Sequence, residues 1–156
     1  MDWIESVVRA TEGAVDDLFR YARSMPEEWL EWHPGGKART ALSQLRECAG
    51  LPALLEIHVR ERPVAPLARE RVDEVWAEAK RCQTVEECEA LCRANTTKLC
   101  QALRETDCSD PDAKVIMPWG KEFTLFELAY DHYWNLTYHL GQICFIQLLK
   151  GDDQYH

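Results

Sequence analysis

Thr124-Leu125-Phe126-Glu127-Leu128-Ala129-Tyr130-Asp131-His132-Tyr133-Trp134-Asn135-Leu136-Thr137-Tyr138-His139-Leu140-Gly141-Gln142-Ile143 is the stretch on which the fold turns. Thr124 and Glu127 have the spacing of a capping box, the threonine accepting from the backbone donor three residues on and the glutamate reaching back. They predict a helix from there to Lys150, with Gly151 as its C-terminal stop. Steps of three and four from Leu125 give Leu128, His132, Asn135, His139, Gln142, Ile146 and Leu149, one stripe by helical geometry. The stripe is aliphatic at its ends and polar in its middle. The opposite flank carries Phe126, Tyr133, Leu136, Leu140, Ile143 and Leu148, so the helix is apolar round much of its circumference and is expected to lie deep. Buried imidazoles and amides without partners cost about 1–3 kcal/mol each, so these polar groups require a hydrogen-bond network, water or a ligand. Two readings stay open: a site inside a helix bundle, or a satisfied polar layer that fixes helix register.

Three further segments upstream have helical periodicity, and no alternating run is long enough to make a sheet. The first helix is expected from about Asp2 to Ser24, with Ile4, Val7, Val8, Val15, Leu18, Phe19 and Ala22 on one face. A short turn through Trp29 and a break at His33-Pro34-Gly35-Gly36 separate it from the second, which Thr40 can cap and which carries Leu42, Leu45, Cys48, Ala49, Leu51 and Leu55. Pro52 lies inside that helix and is expected to kink it. Thr84-Val85-Glu86-Glu87 is a second capping box, opening a third helix that ends near Thr106; Val72 to Ala79 is expected to add a helical turn before it. Val115-Ile116-Met117 reads as extended and Pro118-Trp119-Gly120-Lys121 as a turn. Four long helices with short polar breaks predict an all-α four-helix bundle, a single domain over residues 1–156.

At 156 residues the chain is long enough to fold without disulfides or a structural metal, so a metal site would be functional before it is structural. Its 18 basic and 27 acidic residues give a net charge of −9, which argues against nucleic acid and against an anionic membrane surface. No stretch is apolar enough to span a bilayer, and the early acid in Met1-Asp2-Trp3-Ile4-Glu5 is unlike a signal peptide. Seven cysteines with no Cys-x-x-Cys pair fit buried thiols in a reducing, cytoplasmic setting.

His132 and His139 are seven residues apart, roughly 10 Å of helical rise, too far to bind one ion together. Asn135 and His139, one turn apart, can converge on one. Two stretches resemble the DinB/YfiT-like superfamily of metal-binding four-helix bundles. One runs from Tyr21-Ala22-Arg23-Ser24-Met25-Pro26-Glu27-Glu28-Trp29 through Pro34-Gly35-Gly36-Lys37 into the helix from Thr40. The other is Met117-Pro118-Trp119-Gly120-Lys121 followed by Tyr133 to Ile143, in which His139-x-Gly141-Gln142 is the most specific element. The resemblance implies three metal-binding histidines, one in the second helix and two spaced by four in the last. Here they fall on Glu47, Asn135 and His139, so one histidine of three is present. It therefore implies a facial site of Glu47, Asn135 and His139 for zinc, nickel or manganese, supported by His132, Gln142, Asn95 and Tyr138. The alternative is that Glu47 hydrogen-bonds His139 directly and the cleft holds no ion.

The implied activity is that of a divalent-metal-dependent thiol S-transferase, isomerase or hydrolase acting on a small electrophile, with Tyr133 and Tyr138 as candidate proton donors. The competing class is a non-catalytic, stress-related or ligand-binding bundle whose metal site is degenerate. The resemblance also implies a homodimer. Among the other candidates, Cys88 and Cys92 are one turn apart but read as core, Asn95 reads as a core amide able to reach the polar stripe, and His58 is expected at the surface. Trp119 and Trp134 suit an apolar pocket or a dimer interface.

Overall fold

The computed structural model describes residues 3–156; Asp2, the expected start of the first helix, lies outside the described residues. Five α-helices and one hairpin follow in the order α1 (Trp3–Ser24), α2 (Ala41–Glu61), α3 (Arg69–Arg81), α4 (Val85–Glu105), β1 (Lys114–Ile116), β2 (Glu122–Thr124) and α5 (Leu125–Leu149), with a 3₁₀ turn at Glu27–Trp29. The four long helices form the expected bundle. α1 packs against α4 and α5, and α2 packs against the same two, so α1 and α2 occupy opposite corners. Two apolar clusters fill the interior, one around Leu18, Phe19, Leu42, Leu45 and Ile143, the other around Leu55, Leu99, Met117, Leu125 and Leu128.

The helix ends form where side chains satisfy them. Thr40 accepts from Ser43 N at 3.2 Å, and at α5 both halves of the Thr124–Glu127 capping box are made, at 3.0 and 2.7 Å. At α4, Thr84 accepts from Glu87 N, but the Glu87 carboxylate reaches one residue further back, to Gln83 N at 2.6 Å. Gly151, at φ 90°, ends α5: its N–H donates to Leu148 O and that of Asp152 to Gln147 O, the paired bonds of a Schellman motif.

Three expectations are corrected. The region from Val72 to Ala79 is a full helix, α3, which packs on α2; its 13 residues are so highly charged that the apolar period is faint. A sheet exists, but as two three-residue antiparallel strands pairing Val115 with Phe123, too short to register as alternation. His58 is fully buried: its Nδ1 lies 2.8 Å from Leu54 O, and burial pushes its imidazole below the ordinary value.

α2 runs through Pro52 as one helix. Proline has no N–H, so the Cys48 carbonyl one turn back loses its intrahelical donor. The Cys92 thiol of α4 donates to that carbonyl instead, at 3.2 Å, and Asn95 Nδ2 donates to the neighbouring Ala49 carbonyl at 2.9 Å. These contacts account for Cys92 and Asn95 as side chains that tie α4 to the proline turn of α2.

Candidate functional site

Glu47 lies four residues before Leu51 on α2, at the edge of its core-facing stripe, and reaches α5 across the bundle. Its Oε1 accepts from Asn135 Nδ2 at 2.9 Å and lies 3.2 Å from His139 Nε2; its Oε2 accepts from the Arg39 guanidinium. Asn135 and His139 are buried, while Glu47 keeps one face toward solvent. The His139 hydrogen bond, joined by Arg39, lowers the Glu47 carboxyl from 4.5 to about 2 against the opposing effect of burial.

The other side of the His139 ring fixes its tautomer. Gln44 Nε2 donates to Arg39 O at 3.2 Å, which commits the Gln44 amide oxygen to face His139 Nδ1 at 3.1 Å. Gln142 Oε1 lies 3.0 Å from the same nitrogen. Nδ1 therefore carries a proton and donates, and in the neutral ring Nε2 bears a lone pair aimed at a carboxylate oxygen. Two electron-rich atoms 3.2 Å apart need positive charge between them, either a second proton on the ring or a cation.

The donor set passes a test for a divalent ion. Two ligands each about 2.1 Å from a first-row ion stand roughly 3.0–3.4 Å apart at octahedral or tetrahedral angles, which matches the 3.2 Å between Glu47 Oε1 and His139 Nε2. Asn135 Oδ1 is buried without a hydrogen-bond partner, and since Nδ2 is the atom on Glu47 Oε1, turning the amide over would make that oxygen a third donor. A ring whose far nitrogen donates to a fixed carbonyl oxygen is also the usual setting of a metal-bound histidine. Among the described residues, however, no group of three His, Cys, Asp or Glu side chains gathers anywhere, so an ion here would have one carboxylate, one imidazole and one amide.

Glu47 and Asn135 open onto a pocket of about 800 Å³ between α2, α3, α5 and the hairpin, within the size range of small-molecule sites. The hairpin brings Trp119, Lys121 and Phe123 to its rim, and is anchored by Ile116 N donating to Pro63 O at 2.8 Å and by buried Val115 and Met117. Asp131, one turn before Asn135, lines the same pocket. Burial raises its carboxyl from 3.8 to about 6, with Lys121 opposing and Glu47 adding to the rise.

No family model and no curated protein matches the chain. Two solved structures of mycothiol-dependent maleylpyruvate isomerase, the enzyme and a histidine-to-alanine mutant of it, superpose with a TM-score of 0.64 at 14% identity. Each match covers 90% of this chain and 60% of that one, so the chain spans less than two thirds of those structures. The likeness is one of fold: this chain shares the helical bundle of those structures, the architecture that the DinB-like resemblance implies.

Within this bundle the structure brings Glu47, Asn135, His139 and Gln142 together and separates the rest. His132 is fully buried one layer away, its Nε2 2.8 Å from Thr96 Oγ1, and burial pushes its imidazole down to about 3. Asn95 is spent on the Ala49 carbonyl. Tyr138 is half exposed, stacks on Trp134 with ring centroids 5.1 Å apart, and covers the His139 ring edge-on at 5.2 Å. Tyr133 is partly buried against the core, and Cys88 and Cys92 lie within it. Gln44, Arg39, Asp131 and Lys121 escape the sequence reading. Gln44 has the clearest signal in hindsight, a polar residue on the apolar stripe between Leu42 and Leu45 and one turn before Cys48.

Proposed function

We propose that the protein is a thiol-related isomerase or transferase acting on a small electrophile, with a divalent ion held by Glu47, His139 and Asn135. The observation that carries this reading is the committed His139 tautomer, which aims Nε2 at Glu47 Oε1. A bound zinc, nickel or manganese ion would supply Lewis acidity that favours the thiolate form of a thiol. The residues of the chain do the rest. Gln44 and Gln142 hold the imidazole in orientation, and Arg39 fixes the Glu47 carboxylate by Oε2 so that Oε1 faces Asn135 and His139. Asp131, with a carboxyl near 6, is placed to take the thiol proton at neutral pH and return it to the product. The fold supports a resemblance to a thiol-dependent enzyme; the metal, the thiol and the substrate are our reading.

A second reading is favoured by the Arg39–Glu47 ion pair, which already neutralises the carboxylate. In that case a second proton on His139 fills the gap, and the pocket belongs to a non-catalytic ligand-binding bundle. Calorimetric titration of metal-stripped protein separates the two. One zinc, nickel or manganese ion per chain, lost in His139→Ala, supports the enzyme. No binding at about 100 μM of any of the three favours the second reading. We also propose a homodimer built on the exposed face of α5, and a reducing, cytoplasmic setting consistent with seven free thiols.

A further inference from the structure

The pocket has a composition that its neighbourhood does not share. In a chain with a net charge of −9, four basic residues line it against two acidic ones. Glu47 is compensated by the Arg39 guanidinium and accepts from Asn135 Nδ2. Asp131 faces Lys121 across the pocket and remains mostly ionised at neutral pH, so it offsets one of the four basic groups and Glu47 a second. Lys121 forms no ion pair among the described residues; its ammonium sits 4.9 Å from the Phe123 ring centroid, at the pocket wall. Arg46 also lines the pocket, held by Nε donating to Cys82 O at 2.7 Å and by one terminal nitrogen donating to Gln83 Oε1, both neutral acceptors that leave its charge unpaired by a carboxylate. The local charge left for a ligand to meet is positive.

The walls are flat and aromatic. Trp76, Trp119 and Trp134 reach the pocket from α3, the hairpin and α5. Trp76 lies so close to α2 that a Cβ on Gly50 would stand 2.5 Å from its ring. Gly50 is thus the residue that lets this wall form. Trp119 and Trp134 are both more than half exposed, which leaves large apolar area uncovered at a pocket mouth.

We propose that the pocket takes a small organic anion with a flat aromatic body, an aryl carboxylate, its charge toward Lys121 and Arg46 and its body against the three tryptophans. This deepens the proposed function by naming its substrate class, and it rests on that pocket being the substrate site. An indole-lined pocket also attracts cations through the ring faces, but the surplus of lysine and arginine opposes them.

The test is quenching of tryptophan fluorescence, or calorimetry, with trans-cinnamate, its neutral amide and benzyltrimethylammonium as probes, in the presence of chelator and without thiol. Cinnamate is expected to bind at least tenfold more tightly than cinnamamide, with a preference that shrinks as salt rises. Lys121→Gln, at an exposed position, should weaken cinnamate about fivefold and leave cinnamamide unchanged. Gly50→Ala should weaken both probes alike, and circular dichroism will report whether it folds. Equal affinity for acid and amide, tighter binding of the cation, or an unaffected Lys121→Gln overturns the proposal. Because no metal is present, a failed metal titration with an intact anion preference removes only the catalytic reading, and the reverse result removes only this one.

Discussion

At His139 the two ring nitrogens meet opposite demands, a carbonyl oxygen at Nδ1 and a carboxylate oxygen at Nε2. That arrangement makes the residue the test of the site. His139→Ala should abolish ion binding, while Asn135→His, which replaces an amide by an imidazole one turn from His139, should tighten zinc at least tenfold in competition with a chelator. No gain in Asn135→His would mean that the two helices do not present those positions to one ion. Acid stability offers a second check. Glu47 is lowered to about 2 by its His139 hydrogen bond, with burial opposing and Arg39 helping, and burial lowers His132 to about 3. In both cases the unfolded chain binds more protons, between about 2 and 4.5 for the carboxylate and between about 3 and 6.5 for the imidazole. Both contributions are therefore complete above about pH 6.5 and are lost on acidification, His132 first. Urea midpoints should fall from pH 6.5 to 4.5, and His132→Leu should flatten that segment; a midpoint that ignores His132 across it would contradict a buried neutral ring. Much of this site was legible because Asn135 and His139 share a helical face and Glu47 falls at a matching position. Gln44 and Arg39 were not, because their roles depend on side-chain directions at the entry to α2 that spacing does not encode.

At the scale of an element, α2 illustrates how a local rule and a tertiary contact combine. Pro52 predicts an orphaned carbonyl at Cys48 from sequence alone, but only the packing of α4 identifies the donor as the Cys92 thiol. A double-mutant cycle can isolate that coupling. Cys92→Ala should destabilise by about 1–3 kcal/mol through the unsatisfied buried carbonyl and the lost sulfur. In a Pro52→Ala background the restored N–H at position 52 can satisfy Cys48, so the same change should be milder by about 1 kcal/mol. Additive effects in urea denaturation would show that the thiol contact does not compensate the proline. The long helices were legible because each repeats its apolar residues over several turns and is bounded by a cap. α3 was not, since Val72, Val75, Trp76 and Ala79 are too few among its charges to stand out, although they seat it on α2 and build one wall of the pocket.

For the whole molecule, α5 is less buried than its composition suggests. Leu136 and Ile143 on the flank expected to be buried are in the core, but Phe126, Tyr130, Trp134, Tyr138, Phe145 and Leu148 are each more than a third exposed. Phe126, Tyr130, Trp134 and Tyr138 succeed one another every four residues, and Phe126–Tyr130 and Trp134–Tyr138 stack at 6.1 and 5.1 Å, so they form one aromatic ridge along the helix. In the proposed homodimer a two-fold axis would set this ridge against its own copy, with antiparallel α5 helices interleaving their rings. The expected species in sedimentation velocity is accordingly a dimer of 18.1 kDa chains. Phe126→Glu combined with Tyr130→Glu places like charges across that axis at positions remote from Glu47 and His139, and should shift the protein to monomer without disturbing its helical circular dichroism. If the parent protein sediments as a single 18.1 kDa species at about 100 μM, the ridge does not pair with itself; its half that includes Trp134 then belongs to the pocket mouth alone, and a ligand's flat body becomes its natural cover.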